Sequence, residues 1–319
     1  MDLIAVAPML DWSDRHYRFF MRQITQATTL YTEMVVADAI IHGNQQKLLE
    51  FNSAEQPVIV QLGGSDPKKL QQASKVCQEY NYAGINLNVG CPSDRVKSGN
   101  FGACLMQDAN LVADCYSAMQ EVVTVPVSIK HRIGLNYNND YGFLRDFVGS
   151  IAAQGCTKFI VHARNAVLTG LSPKQNREIP PLNYEYVYNL KRDFPGCEIV
   201  INGGIKTIVD IDSHLKQVDG VMLGREAYYN PYLFSNFDQL YFKHQAKAIS
   251  RKQVAEQMLP YLYQAQKQNI KLHHITRHMI GLFHGCRQAK IWRYQLTNGI
   301  IKTNAIETYT ELLNIMDEC

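Results

Sequence analysis

Eight short apolar runs, separated by helix-like stretches, constrain this chain more than any other feature. They are Ile4–Met9, Leu30–Val35, Val58–Leu62, Ile85–Val89, Val127–Lys130, Phe159–His162, Ile199–Ile201 and Val221–Leu223. They are rich in valine and isoleucine and do not alternate strictly with polar residues, as strands buried on both faces should not. Stretches between them, such as Asp66–Tyr80, Asn110–Val122 and Phe143–Gln154, carry helical spacing, with Asp66-Pro67 and Asp108 placed as N-caps. Eight such units in residues 1–240 predict an α/β fold, a (β/α)8 TIM barrel. An open doubly wound sheet is the alternative, but no GxGxxG follows the first run.

A parallel barrel places its chemistry where the strands end. Here those ends carry Ala7-Pro8-Met9-Leu10, Gln61-Leu62-Gly63-Gly64, Asn88 and Cys91, Lys130-His131-Arg132, His162-Ala163-Arg164, Asn202-Gly203-Gly204 and Gly224-Arg225. The stretch GINLNVGCPSDRVKSGNFG, residues 84–102, stands out. It is a strand that breaks at Gly90, presents Cys91, and continues into a glycine-rich loop with Arg95 and Lys97. Taken alone, Cys91 is either a reactive thiol or a small buried residue, since free cysteine is among the most buried residue types. Asn202-Gly203-Gly204 and Gly224-Arg225 follow the last two strands, where such barrels bind phosphate. Glycine lets backbone N–H groups approach a phosphate closely, and arginine pairs with it; a pair of tight turns is the plainer reading. Lys130 and His162 are either ordinary strand-end residues or contacts to a cofactor lying in the barrel mouth. A cation there suits the electron-rich end of a reduced flavin. Residues 165–182 form a long loop after the sixth strand, either a lid or a binding arm, with Lys174 and Arg177 on it.

Past residue 240 the pattern turns all-helical, with stretches near Ser250–Asn269, Ile275–Leu282, Ala289–Thr297 and Ala305–Met316. A barrel over 1–240 and a small helical domain over 241–319 are expected. Charge divides the same way. Residues 1–240 hold 21 Lys and Arg against 24 Asp and Glu, whereas residues 241–319 hold 11 against 5. A net −3 body with a net +6 tail suggests a polyanionic partner held by the tail, or else a solvated helical face. His273, His274, His278, His284 and Cys286 lack a metal-site spacing, so no metal is expected. The eight cysteines form no CxxC pair, no run is long enough to cross a bilayer, and the opening MDLIAVAPMLDWSD is not a secretory leader. Reduced thiols and a cytoplasmic setting are expected.

The motifs APMLDWSDRH, QLGG, NLNVGCPSDRV, GNFGACLM, SIKHRIG, VHARNAVLTGLSPKQNREIPPL, NGGI and LGREAYYNP together resemble a tRNA-dihydrouridine synthase. The loop after strand six and the tail motif TRHMIGLFHG resemble the A-type subfamily in particular. The likeness spans nearly the whole chain in family order. It implies an oxidoreductase that binds flavin mononucleotide (FMN), takes electrons from NADPH or possibly NADH, and reduces uridines 20 and 20a of the tRNA D-loop. It also implies roles. Pro8, Met9 and Leu10 would line the flavin ring. Gln61, Lys130 and His162 would contact the ring or its phosphate side. Asn202, Gly203, Gly204, Gly224 and Arg225 would hold the phosphate. Cys91 would be the proton donor, and Asn88, Lys174, Arg177, Lys290 and Arg293 would meet the RNA. The tail reads HGCRQAKIWRYQL, so Lys290 stands where this family tends to carry arginine, which offers a planar fork that lysine lacks. A monomer without membrane association is expected.

Reducing uracil takes a hydride at C6 and a proton at C5. A free cysteine, with a reference pKa of about 8.5, is mostly protonated at neutral pH and is therefore a sensible acid. Two other readings fit parts of the pattern: a small-molecule flavin enzyme similar to dihydroorotate dehydrogenase, and an RNA-binding barrel without catalysis. The basic tail argues against the first. The set Cys91, Lys130, His162 and Arg225 argues against the second.

Overall fold

The computed structural model describes residues 3–93, 96, 99–137, 140–243 and 248–316. Arg95 and Lys97 lie outside them. Eight parallel strands form a closed barrel in sequence order: β1 Ile4–Val6, β2 Thr29–Val36, β3 Val58–Gly63, β4 Gly84–Val89, β5 Val127–Arg132, β6 Lys158–His162, β7 Glu198–Asn202 and β8 Gly220–Leu223. Strand β8 closes on β1 through the register Ile4↔Val221, Ala5↔Met222 and Val6↔Leu223. All eight predicted runs are strands. The first ends at Val6, two residues before Pro8, which has no N–H for a ladder.

Successive strand residues face opposite sides, so each strand presents one set to the barrel interior and the other to the surrounding helices. Ala5, Ala7, Tyr31, Ile59, Ile160, Val200 and Met222 make one buried cluster, with Met9 packed against it. The helices Pro67–Glu79 and Ala109–Glu121 are capped by Asp66 and Asp108, whose carboxylates accept backbone N–H bonds as expected from the sequence. The first of them buries Leu70, Ala73 and Cys77, and burial of a side chain of leucine size is worth about 1.5–3 kcal/mol.

The chain forms two compact units. The first comprises Met1–Met9, Thr29–Phe51 and Gln56–Gly224, and the second Leu10–Thr28, Asn52–Glu55 and Arg225–Cys319. The second thus draws on more than the tail. Its helix Arg15–Arg22 buries Tyr17, Phe20 and Met21, and the Tyr17 hydroxyl donates to Ala227 O at 3.0 Å. Arg18 pairs with buried Glu55 at 2.8 Å, and the Asp238 carboxylate accepts from Thr25 and from the backbone of Gln26 and Ala27. These long-range polar bonds, rather than chain order, place residues 10–28 with the helical unit.

Within that unit the stretch expected as one helix over Ser250–Asn269 is two, Arg251–Gln257 and Leu259–Lys267, because Pro260 cannot donate into a continuous helix. Trp292 is fully buried, and its indole N–H donates to Met279 O at 2.8 Å. Among the described residues no His, Cys, Asp and Glu side chains gather into a metal-holding group, and no helix is long and apolar enough to cross a membrane. Cys77, Cys91, Cys104, Cys115, Cys156 and Cys197 are free thiols, but Cys286 is disulfide-bonded, which corrects the expectation of reduced thiols throughout.

Candidate active site

A polar ladder crosses the inside of the barrel on β3, β4 and β5. The Asn88 amide donates to Gln61 Oε1 at 2.7 Å, Gln61 Nε2 to Asn86 Oδ1 at 2.7 Å, and Asn86 Nδ2 to Ser128 Oγ at 2.9 Å. The strand register sets this chain of bonds, since Gln61 lies opposite Asn86 and Asn86 opposite Ser128. Gln61, Asn86 and Ser128 are buried, and buried amides are kept only when their hydrogen bonds are satisfied.

The top of the ladder builds the Cys91 turn. Asn88 Oδ1 accepts from Gly90 N at 3.1 Å and Cys91 N at 3.0 Å, so the side chain folds the backbone back over the strand end. Cys91 O accepts from Ala103 N at 2.9 Å. Gly102 makes that closure possible: its φ is +74°, and a β-carbon there would lie 2.6 Å from Cys91 O. The Cys91 thiol is half-buried and 3.4 Å from the Ser93 hydroxyl. It is therefore not packed into hydrocarbon. Asn88 spends most of its bonding capacity on Gln61 and this turn, and among the described residues one of its amide hydrogens takes no partner.

Beside the thiol the strand ends gather positive charge. Lys130 Nζ donates to Asn202 Oδ1 at 3.1 Å, and Asn202 Nδ2 donates to Met222 O at 2.8 Å. Burial, then the neighbouring Arg132 guanidinium, push the Lys130 ammonium down to about 7, and Cys91 opposes the shift. Burial and the nearby Arg132 and Lys130 hold His162 well below the usual imidazole range, so it is a neutral ring at pH 7. Among the described residues Lys130 and Arg132 pair with no carboxylate. A mouth with cations and no counter-charge suits an anionic ligand. His131, between the two, faces outward onto Phe147 and Phe159 and is held neutral by burial.

The last strands supply a backbone cradle. Gly203 and Gly204 have φ of +116° and +75°. A β-carbon on Gly203 would fall 2.7 Å from the His162 ring, and one on Gly204 2.6 Å from Leu182 and 2.9 Å from the Tyr184 hydroxyl. Tyr184 donates to Gly203 O at 2.8 Å and fixes the turn. Gly204→Val therefore carries both backbone strain and a clash. It is expected to lower unfolding stability by about 1–3 kcal/mol, read from urea midpoints; an unchanged midpoint would show that the turn yields freely. Gly224 differs, since a β-carbon there would meet only Ala7 at 3.8 Å. Among the described residues nothing crowds it, so the position leaves room for close approach by a ligand.

Comparison with known proteins decides the family. The family model described as dihydrouridine synthase matches residues 5–317. The chain belongs to the dihydrouridine synthase family. Curated relatives named tRNA-dihydrouridine(20/20a) synthase include one from Haemophilus ducreyi, 54% identical over 98% of this chain and 97% of its own length. One from Pasteurella multocida is 53% identical over 94% and 92%, and one from Synechocystis is 51% identical over 95% and 90%. Among solved structures, a 2-naphthoyl-CoA reductase complex matches with a TM-score of 0.55 at 10% identity, covering 74% of this chain and 50% of that one. That likeness is one of fold.

Against this dihydrouridine synthase background, the remaining residues singled out in the sequence fall as follows. Pro8 and Met9 follow β1, while Leu10 opens the second unit and is 67% exposed. Arg225 is the next residue after the barrel and begins the helix Arg225–Tyr229. Lys174 and Arg177 are exposed on the loop after β6, and Lys290 and Arg293 are exposed on the helix Ala289–Tyr294 of the second unit. The loop itself is ordered by Asn176, which is fully buried. Its amide donates to Val167 O and Leu171 O, and its Oδ1 accepts from Val167 N. In the sequence, Arg132 stands at the end of the fifth strand without a role of its own, and Asn86, Asn176 and Tyr184 are passed over. Only Asn86 carried a signal, its two-residue spacing from Asn88 on a strand.

Proposed function

We propose that this dihydrouridine synthase reduces the C5=C6 bond of uridines 20 and 20a in the tRNA D-loop, with FMN held in the barrel mouth and NADPH as reductant. The observation that carries the reading is the Cys91 thiol, half-buried at a strand end beside Lys130, which pairs with no carboxylate among the described residues. The named activity of relatives about 50% identical over nearly the whole chain supports it. The residues fit the cofactor: the positive-φ Gly203-Gly204 turn offers backbone N–H groups to a phosphate, and Lys130 offers charge to an anionic ring edge.

When bound, FMN supplies the hydride that adds to C6. Cys91 Sγ gives its proton to C5, so two hydrogens are gained and the thiolate is reprotonated from solvent. Asn88 holds the turn that aims Cys91 and has one N–H for an edge of the uracil. A uridine in folded RNA must first leave its stack, at a cost of a few kcal/mol. Lys174, Arg177, Lys290 and Arg293 offset that cost by pairing with phosphates, and an enzyme of tRNA with this role works in the cytoplasm. Incubating the purified chain with NADPH and an unmodified tRNA transcript tests the proposal. A two-dalton gain in the D-loop fragment is expected, and a transcript of unchanged mass would overturn it.

A pH-linked result follows from Lys130. Its folded pKa of about 7 lies below the ordinary 10.5, so the folded chain releases this proton across that window. This group's contribution to stability therefore rises with pH from about 7 to 10.5. An anionic ligand beside it restores the charge. FMN binding at pH 8 is expected to take up close to one proton, seen as a calorimetric enthalpy that depends on the buffer's ionisation heat. Lys130→Met should abolish that dependence; equal enthalpies for the unmodified chain in all buffers would contradict it.

A further inference from the structure

Beyond the charge it lends the barrel mouth, the buried guanidinium of Arg132 has no step in the chemistry derived above, yet it sits at the junction of two loops that do. Arg132 is the last residue of β5, two beyond Lys130, and is 4% exposed. Its Nε donates to Gly90 O at 3.1 Å. Its Nη1 donates to Asn165 O at 3.2 Å and Asn176 O at 3.0 Å. Gly90 precedes Cys91, and Asn165 and Asn176 belong to the loop after β6 that carries Lys174 and Arg177.

One side chain thus fastens the thiol turn to the loop proposed to meet RNA. All three acceptors are carbonyls, which leave the full positive charge in place while taking the Nε and Nη1 donors. Only arginine can do this: its planar fork presents N–H groups in divergent directions at once, whereas lysine is a single point of attachment. Each end of the bridge is itself fixed. Gly90 N and Cys91 N are held by Asn88, and Asn176 is wholly buried with its amide bonded to its own loop. A displacement of the loop after β6 therefore reaches Cys91 through one rigid link rather than through a flexible chain.

We propose that Arg132 is a positioning residue: it couples engagement of RNA on the loop after β6 to the placement of the Cys91 thiol. The coupling rests on the activity proposed above, but the bridge itself is tested without it. The test uses the flavin-loaded protein with Arg132→Met and Arg132→Lys, and two readouts. The first is the rate at which iodoacetamide alkylates Cys91 in the absence of tRNA, followed by peptide mass spectrometry. Releasing the Cys91 turn is expected to change that rate at least threefold in Arg132→Met. The second is single-turnover oxidation of the reduced flavin by saturating tRNA. It is expected to slow at least tenfold in Arg132→Met with tRNA Kd changed less than threefold, and Arg132→Lys should fall between Arg132→Met and the unmodified chain. An unaltered Cys91 alkylation rate in both variants would overturn the bridge. A loss of tRNA affinity with an unchanged saturated rate would overturn the coupling. If Arg132→Met does not fold, Arg132→Lys carries both readouts, and an alkylation rate and a saturated rate equal to the unmodified chain's would then overturn the proposal. Absence of any flavin oxidation by tRNA in the unmodified chain would instead count against the proposed function, leaving the alkylation result to stand or fall alone.

Discussion

Cys91→Ala is expected to lose most turnover on tRNA while keeping its flavin and its reduction by NADPH. The substitution is unusually clean here. The backbone of residue 91 is held by Asn88 and by Ala103 through its own N–H and C=O, which alanine retains, so alanine keeps the turn. The thiol is half-buried, so its removal leaves little cavity. What disappears is a proton donor, and removal of a general acid typically costs about 10²–10⁴ in rate. At 1.36 kcal/mol per tenfold, that range is roughly 3–5 kcal/mol of barrier. The check is stopped-flow oxidation of reduced flavin at saturating tRNA, with the flavin spectrum as a control. Dihydrouridine formation at the unmodified rate would remove Cys91 from the reaction.

Charge reversal at Lys174, Arg177 and Arg293 is expected to have an effect of similar size on tRNA affinity. All three side chains are exposed, so replacing them by glutamate buries no new charge. Every cation–phosphate pairing removed lowers the salt dependence of binding by about 0.7–0.9 in the log–log slope. Abolishing three such pairings should therefore flatten the slope by roughly 2–3 and weaken binding more than tenfold near physiological salt. The flavin spectrum should not move. Filter binding across a salt series reads both quantities. An unchanged slope would mean that these cations face solvent and not RNA.

The barrel was legible because parallel strands buried on both faces leave continuous Val- and Ile-rich runs, and eight of them with caps between admit few arrangements. The strand-end rule then pointed to Cys91, Lys130, His162 and Gly203-Gly204 without any contact being known. Pairings between distant residues were not legible. Lys130 and Asn202 are 72 positions apart, and nothing local marks them as partners. Helix Arg15–Arg22 illustrates the same limit. Chain order sets it between the first two strands, but the Tyr17 and Arg18 bonds that assign it to the helical unit reach residues 210 and 37 positions away. Asn88 was singled out as an RNA contact, yet its side chain also shapes the Cys91 turn, a role visible only once the backbone bonds are drawn. Arg132 stands at a strand end in the sequence, but its carbonyl partners do not show there, and Asn176 reads as an ordinary polar loop residue, because burial of a guanidinium or an amide among carbonyls leaves no periodic trace.

The central claim is that this chain adds hydrogen across the C5=C6 bond of D-loop uridines. Its most direct test is nucleotide-resolved mass spectrometry of tRNA from cells lacking the gene, with and without the chain restored. Uridines 20 and 20a should be two daltons lighter in the absence of the chain and regain that mass when it returns, but not when Cys91→Ala is supplied instead. Full dihydrouridine at both positions in the cells without it would contradict the account.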